Sequence, residues 1–248
     1  MIRRLEVLFL SAVLAHAAPA AATETRPMTL AEEETVVDLY WPVASPPRGL
    51  AVIAHGFTRS RARHVVLARR LADEGFAVAV PDLPHWVRPH GNADAIVDLV
   101  QAVEGERELG ARPVVLIGTS AGGLATLLAT DRVPRLALWV GLDPVDTLGL
   151  AEEAARALRA PAVVLRAPSG PCNVGGSARR IAVWLPRLRS ELRIAEASHC
   201  DFEDSTSLRC EVICGPADPA RQALIVDATV KAVTEAVPGT APARAPAD

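Results

Sequence analysis

Val114-Val115-Leu116-Ile117-Gly118-Thr119-Ser120-Ala121-Gly122-Gly123 decides the fold. Four apolar residues end in a glycine-flanked serine, and a run of small residues follows without a gap. A short continuous apolar run suits a strand buried on both faces, and Ala121–Thr130 suits a helix, so the stretch reads strand, tight turn, helix. Such a turn forces its central residue into a strained backbone conformation. Glycines at 118 and 122 answer that demand, because side chains there would meet the adjacent strand and helix. Ser120 Oγ would then stand clear of the sheet, facing the free N–H groups and positive dipole end of the helix that begins at Ala121.

On either side of this stretch, short apolar runs alternate with longer amphipathic ones. Strands are expected at Thr35–Trp41, Leu50–Ala54, Phe76–Val80, Val114–Ile117, Leu136–Leu142, Ala162–Arg166 and Leu192–Ala195. Helices are expected at Arg61–Asp73 with Gly75 as its stop, Ala93–Glu108 capped by Asn92, Ala121–Thr130, Ala151–Arg159, Ala178–Arg187 and Pro219–Val237. This alternation predicts an α/β fold with a mostly parallel central sheet and helices on both faces. Fewer than 20 residues separate Asp143 from the next expected strand, too few for a large cap domain.

The chain has 248 residues, 50% of them hydrophobic and 22% charged, enough for one core spanning residues 23–237. A net charge of −3 without a basic tract argues against nucleic acid as a partner, and 4% aromatics argues against stacked aromatic platforms. Arg3 and Arg4, the apolar stretch Val7–Ala15 and the small residues Ala17–Ala22 form the three parts of an export signal over residues 1–22. The apolar run is about half of the roughly 20 residues a membrane span needs, so no integral membrane segment is expected after removal of the signal. The protein is therefore expected in the periplasm or secreted, as a monomer. Residues 238–248, rich in Pro and Ala, read as a disordered tail.

Export makes Cys172, Cys200, Cys210 and Cys214 an even set for two disulfides, with the pairing open. Cys210 and Cys214 would sit one helical turn apart, a poor geometry for bonding each other. A zinc site built on these thiolates with His199 is the weaker alternative, because no C-x-x-C pair is present.

A serine hydroxyl needs a base, and the base needs an orienting group. His199 follows the last expected strand in Ser198-His199-Cys200-Asp201, at the sheet edge where the elbow emerges. The other histidines lie in the signal (His16), in a loop ahead of Phe57 (His55), at a helix start (His64), or in a loop ahead of Ser120 (His85, His90). In serine, acid, histidine order the acid falls in Gly141-Leu142-Asp143-Pro144-Val145-Asp146, with Asp143 at the strand end preferred to Asp146. Asp201 is a third candidate, too close in sequence to His199 to orient its ring easily. The loop after Ala162–Arg166 holds no carboxylate. His55-Gly56-Phe57 directly follows a strand, so the N–H groups of Phe57 and Ala121 are the expected oxyanion-hole donors. Trp86 and Thr119 are the candidate pocket residues.

With Ala54-His55-Gly56-Phe57, the Gly118–Gly123 elbow, Gly141-Leu142-Asp143-Pro144-Val145 and Ser198-His199 in place, the chain resembles the α/β-hydrolase superfamily over roughly Leu50 to Val237. Within it, Gly-Leu-Asp-Pro-Val and the cysteine-containing Pro171-Cys172-Asn173 loop are similar to those of the chlorophyllase and cutinase-like esterase branch. Thr119 stands where these relatives usually carry His, a departure that bears on substrate preference. The resemblance implies a cofactor-independent, metal-free serine hydrolase acting on small or polymeric carboxylic esters. Thioesterase or peptidase activity on the same fold, or a non-catalytic binding role, are the alternatives.

Overall fold

A computed structural model describes residues 21–43, 45–107 and 109–239. The first nine elements in chain order are β1 (Ala22–Leu30), β2 (Glu33–Trp41), β3 (Leu50–Ala54), α1 (Val65–Asp73), β4 (Ala77–Pro81), α2 (Pro89–Glu104), β5 (Val114–Thr119), α3 (Ala121–Ala129) and β6 (Leu136–Leu142). Then come α4 (Ala151–Ala157), β7 (Ala162–Arg166), α5 (Ser177–Trp184), β8 (Leu188–Arg193), α6 (Leu208–Cys214) and α7 (Pro219–Ala236). The expected export signal lies outside the described residues except for Ala21 and Ala22, and the expected tail except for Pro238 and Gly239.

The eight strands form one sheet in the order β1-β2-β4-β3-β5-β6-β7-β8. β1 and β2 run antiparallel to their neighbours and the remaining pairs are parallel. Because strand side chains alternate between faces, each central strand feeds two cores. Leu50, Val52 and Ala54 of β3 join Val114 and Leu116 of β5 in the core beneath α2–α5. Ala51, Ile53, Val115 and Ile117 join the core beneath α1 and α7. The strand order reverses at β3, whose neighbours are β4 and β5, and this opens a crevice at the carboxyl ends of the strands. No inserted cap domain covers that edge among the described residues.

The structure departs from the sequence-based expectations at the periphery. β1 was not anticipated: its Thr, Glu and Arg residues and Pro27 suit an exposed edge rather than a buried run. β8 lies at Leu188–Arg193 rather than Leu192–Ala195, because this edge strand is almost wholly exposed and the buried Ile194 comes only after it. α2 starts at Pro89, a favoured first helical residue, so Asn92 lies inside the helix and does not cap it. The Asn92 amide instead accepts from the His85 N–H at 3.0 Å and donates to the His85 carbonyl at 2.7 Å, fastening the loop that carries Trp86. α6 was also unforeseen; none of its residues is buried, so it has no apolar periodicity directed at the core.

Candidate active site

At the end of β5 the backbone of Ser120 takes φ 55° and ψ −122°, outside the ordinary regions for a residue with a side chain. Its N–H donates to the Leu142 carbonyl at 3.0 Å, and its own carbonyl accepts from Gly123 and Val145, each at 3.0 Å. A Cβ on Gly118 would lie 2.3 Å from the Gly122 carbonyl oxygen, and one on Gly122 would lie 2.4 Å from those of Ala54 and His55. Strand, turn and helix therefore close on each other with no room for a methyl group. Gly123 packs on Pro144 in the same way, so a third glycine ties the elbow to the acid loop.

At the end of β6, Asp143 is fully buried, and its Oδ2 lies 2.7 Å from His199 Nδ1. The carboxylate also accepts from the Ala167 N–H at 3.2 Å and from Asn173 Nδ2 at 3.2 Å. Three donors compensate for its removal from water. Since a carboxylate oxygen only accepts, Nδ1 carries the hydrogen, leaving Nε2 as the free lone pair of the ring. Ser120 and His199 both line a cavity of about 540 Å³ in the crevice.

The other carboxylates have structural employment. Asp146 accepts from Leu148 N at 3.0 Å and from Ala151 N at 2.9 Å, holding the start of α4. Asp201 accepts from Ser198 N at 2.7 Å, Arg221 Nε at 2.8 Å and Asp218 N at 2.7 Å, which fixes the His199 turn to the start of α7. Thr119, expected on the pocket wall, is buried instead; its hydroxyl donates to the Phe202 carbonyl at 3.4 Å because strand alternation puts it on the same sheet face as Val115 and Ile117, where Phe202 packs. Trp86 does line the cavity, its ring edge-to-face with Phe57 at 6.5 Å between centroids.

The Phe57 N–H has no partner among the described residues, and the Ala121 N–H, first in α3, has none within its helix. Two donors to the Gly56 carbonyl set the direction of the former: the Arg59 N–H at 3.2 Å and His55. Leu83 N–H donates to His55 Nε2 at 2.8 Å, so Nδ1 carries the hydrogen and donates to the Gly56 carbonyl at 2.8 Å. That carbonyl and the Phe57 N–H belong to one planar peptide and point opposite ways, so fixing the oxygen aims the N–H. Burial holds the His55 pKa below its ordinary value, consistent with a neutral ring.

The cysteines pair as Cys172–Cys214 and Cys200–Cys210. The sulfurs of Cys200, Cys210 and Cys214 lie within 4.8 Å of one another, but all are engaged in disulfides and are not thiolate ligands. Both bonds end on α6, one from the loop beside Asn173 and one from the residue after His199. Arg59, two residues past Phe57, forms a two-pronged bond with Glu203, with Nε–Oε1 at 2.6 Å and Nη2–Oε2 at 2.8 Å. Asn173, His55, Arg59 and Glu203 were missed as site residues in the sequence. The Pro-Cys-Asn loop lacks a carboxylate, and the amide beside its cysteine was the available signal.

The sequence profile described as the alpha/beta hydrolase family matches residues 51–245. No relative is found by sequence among curated proteins. Among solved structures, dienelactone hydrolase from Anabaena variabilis superposes with a TM-score of 0.68 at 17% identity, covering 86% of this chain and 97% of that one. The esterase domain of a Rhodothermus marinus protein gives 0.64 at 17% identity, with 86% and 98% covered. Est1E from Butyrivibrio proteoclasticus gives 0.66 at 15% identity, with 87% and 99% covered. At these identities the likeness is one of fold.

Proposed function

The chain belongs to the alpha/beta hydrolase family, and on that premise we propose that it is an exported serine hydrolase cleaving carboxylic esters through an acyl-enzyme. The observation that carries this reading is the 2.7 Å bond from His199 to the buried Asp143, on the cavity that Ser120 also lines. Ser120 Oγ adds to the ester carbonyl while His199 Nε2 takes its proton, and Asp143 holds the ring in the required tautomer. The carbonyl electron pair moves onto oxygen, where the Phe57 and Ala121 N–H groups receive it. Such a donor is worth about 3 kcal/mol in the transition state. Collapse breaks the bond to the leaving alcohol, which takes the proton from His199, and water then releases the acid by the same steps. Residues 1–22 direct export, a reading supported by two disulfides of the kind that persist in oxidising compartments.

The test is turnover of p-nitrophenyl esters of increasing acyl length by the wild type beside Ser120→Ala. Activity lost in the variant supports the reading. A folded wild type no more active than the variant on every ester overturns it.

A further inference from the structure

Of the 13 large hydrophobic side chains exposed among the described residues, six line the cavity: Phe57, Trp86, Val87, Leu148, Val174 and Ile213. Two more, Leu208 and Val212, lie on α6, whose Arg209, Cys210, Ile213 and Cys214 form one wall of the same cavity. The exposed apolar surface of the molecule is therefore concentrated at one place, around the mouth of the cleft.

α6 is the most unusual part of this rim. It has seven residues, too short to be stable as an isolated helix, and none is buried. Leu208 and Val212, each 77% exposed, are four residues apart and share one face of the helix, which contributes nothing to the core. What holds α6 in place is covalent: Cys210 is bonded to Cys200, and Cys214 to Cys172. Two cross-links do the anchoring that apolar burial performs elsewhere, and the helix keeps its aliphatic face turned to solvent. Across the cleft, Trp86 is 72% exposed and Phe57 52%, on a loop secured by Asn92 and a turn secured by His55. These side chains are held exposed on fixed supports.

The charges at the mouth favour an uncharged occupant. Arg59 is neutralised by its two-pronged bond to Glu203, and Asp146 is occupied at the start of α4. Arg209 is the remaining charged side chain on the cavity wall.

We infer that this rim adsorbs the protein to the surface of a water-insoluble, uncharged acyl ester phase, with α6 lying on that surface and the cleft opening into it. This deepens the proposed ester hydrolysis and rests on it. Adsorption itself needs no turnover, so the two readings fail separately.

The experiment uses Ser120→Ala, which cannot consume its support, mixed with a trioctanoin emulsion; protein left in the water phase after centrifugation is measured. Leu208→Ser/Val212→Ser in the same background should lower the partition at least tenfold. With Ser120 restored, this double variant should keep wild-type turnover of p-nitrophenyl acetate, since neither residue lines the cavity, and this doubles as the check on folding. Equal partition of the two proteins, or no partition of either, overturns the inference. Binding to anionic phospholipid vesicles but not to the emulsion overturns it in favour of a charged surface. A dimer in solution that the double variant dissociates assigns the face to a second copy of the chain and also overturns it. Loss of p-nitrophenyl ester turnover in Ser120→Ala tests the hydrolase reading alone.

Discussion

The Ser120 side of the cleft and its Asp143–His199 side hold their groups by different means. Ser120, Phe57 and Ala121 are placed mainly by backbone where β3 and β5 lie side by side, with the His55 side chain helping to hold the Phe57 peptide, and glycines let the chain segments touch. Asp143 and His199 lie toward the other end of the sheet, where the last strand is nearly bare. There the positions come from side chains and cross-links: Asn173 on Asp143, Asp201 beneath the His199 turn, and two disulfides on α6. Close packing between strands locates atoms with little help from side chains, whereas loops beyond a sheet edge bury too little to be held that way. Arg59 with Glu203 ties one side to the other.

The largest effect should come from the acid. Asp143→Asn is expected to lower kcat on p-nitrophenyl esters by about 10⁴-fold, roughly 5.5 kcal/mol, because the ring loses its orienting acceptor. A fall of less than tenfold would assign the base to another partner. Next, reduction of both disulfides should cost about 3 kcal/mol of stability each and lower turnover, while the elbow, which contains no cross-link, keeps its fold. Urea unfolding and ester turnover with and without reductant measure this; unchanged values in both would remove the contrast between the two sides.

On the Ser120 side, His55→Ala should reduce kcat by about tenfold with KM little changed, since it removes one of the two donors that hold the peptide carrying the Phe57 N–H, the proposed oxyanion donor, and leaves the Arg59 N–H. A rise in KM alone would make His55 a pocket residue rather than a positioning one. His64, the residue just ahead of α1, is buried, and desolvation pushes its pKa down to about 3. As pH falls below its ordinary value of 6.5, the unfolded chain takes a proton that the fold refuses, so stability is lost by up to about 1.4 kcal/mol per pH unit toward pH 3. Asp204, raised by burial to about 6, works in the opposite direction, since between pH 6 and 3.8 the folded form takes its proton first. His64→Leu should therefore become less acid-sensitive than the wild type in melting temperature between pH 7 and 5, and parallel curves would refute this. The smallest effect is expected from Asp146→Asn: about 1 kcal/mol of stability through a weaker start to α4, and turnover within twofold.

The buried centre of the molecule was legible from the residues. Strands β3, β5, β6 and β7 and the elbow announce themselves because a strand covered on both faces must be apolar throughout and a strained turn must have glycine beside it. The serine, the histidine and two candidate acids followed from chain order along that sheet. The polar periphery was not legible: β1, the register of β8 and all of α6 carry no pattern directed at a core, and Asn92 resembles a helix cap until its partner at His85 is seen.

By itself the sequence determined the fold class, the family, the elbow and the set of residues from which a site could be made. Only the tertiary structure laid Asp143, and not Asp146, against His199, paired the cysteines, brought Asn173 to Asp143 and turned α6 outward beside the cleft. The reason is physical: periodicity and turn chemistry act over a few residues, whereas hydrogen bonds and disulfides across 10 to 56 positions depend on where the sheet returns the chain.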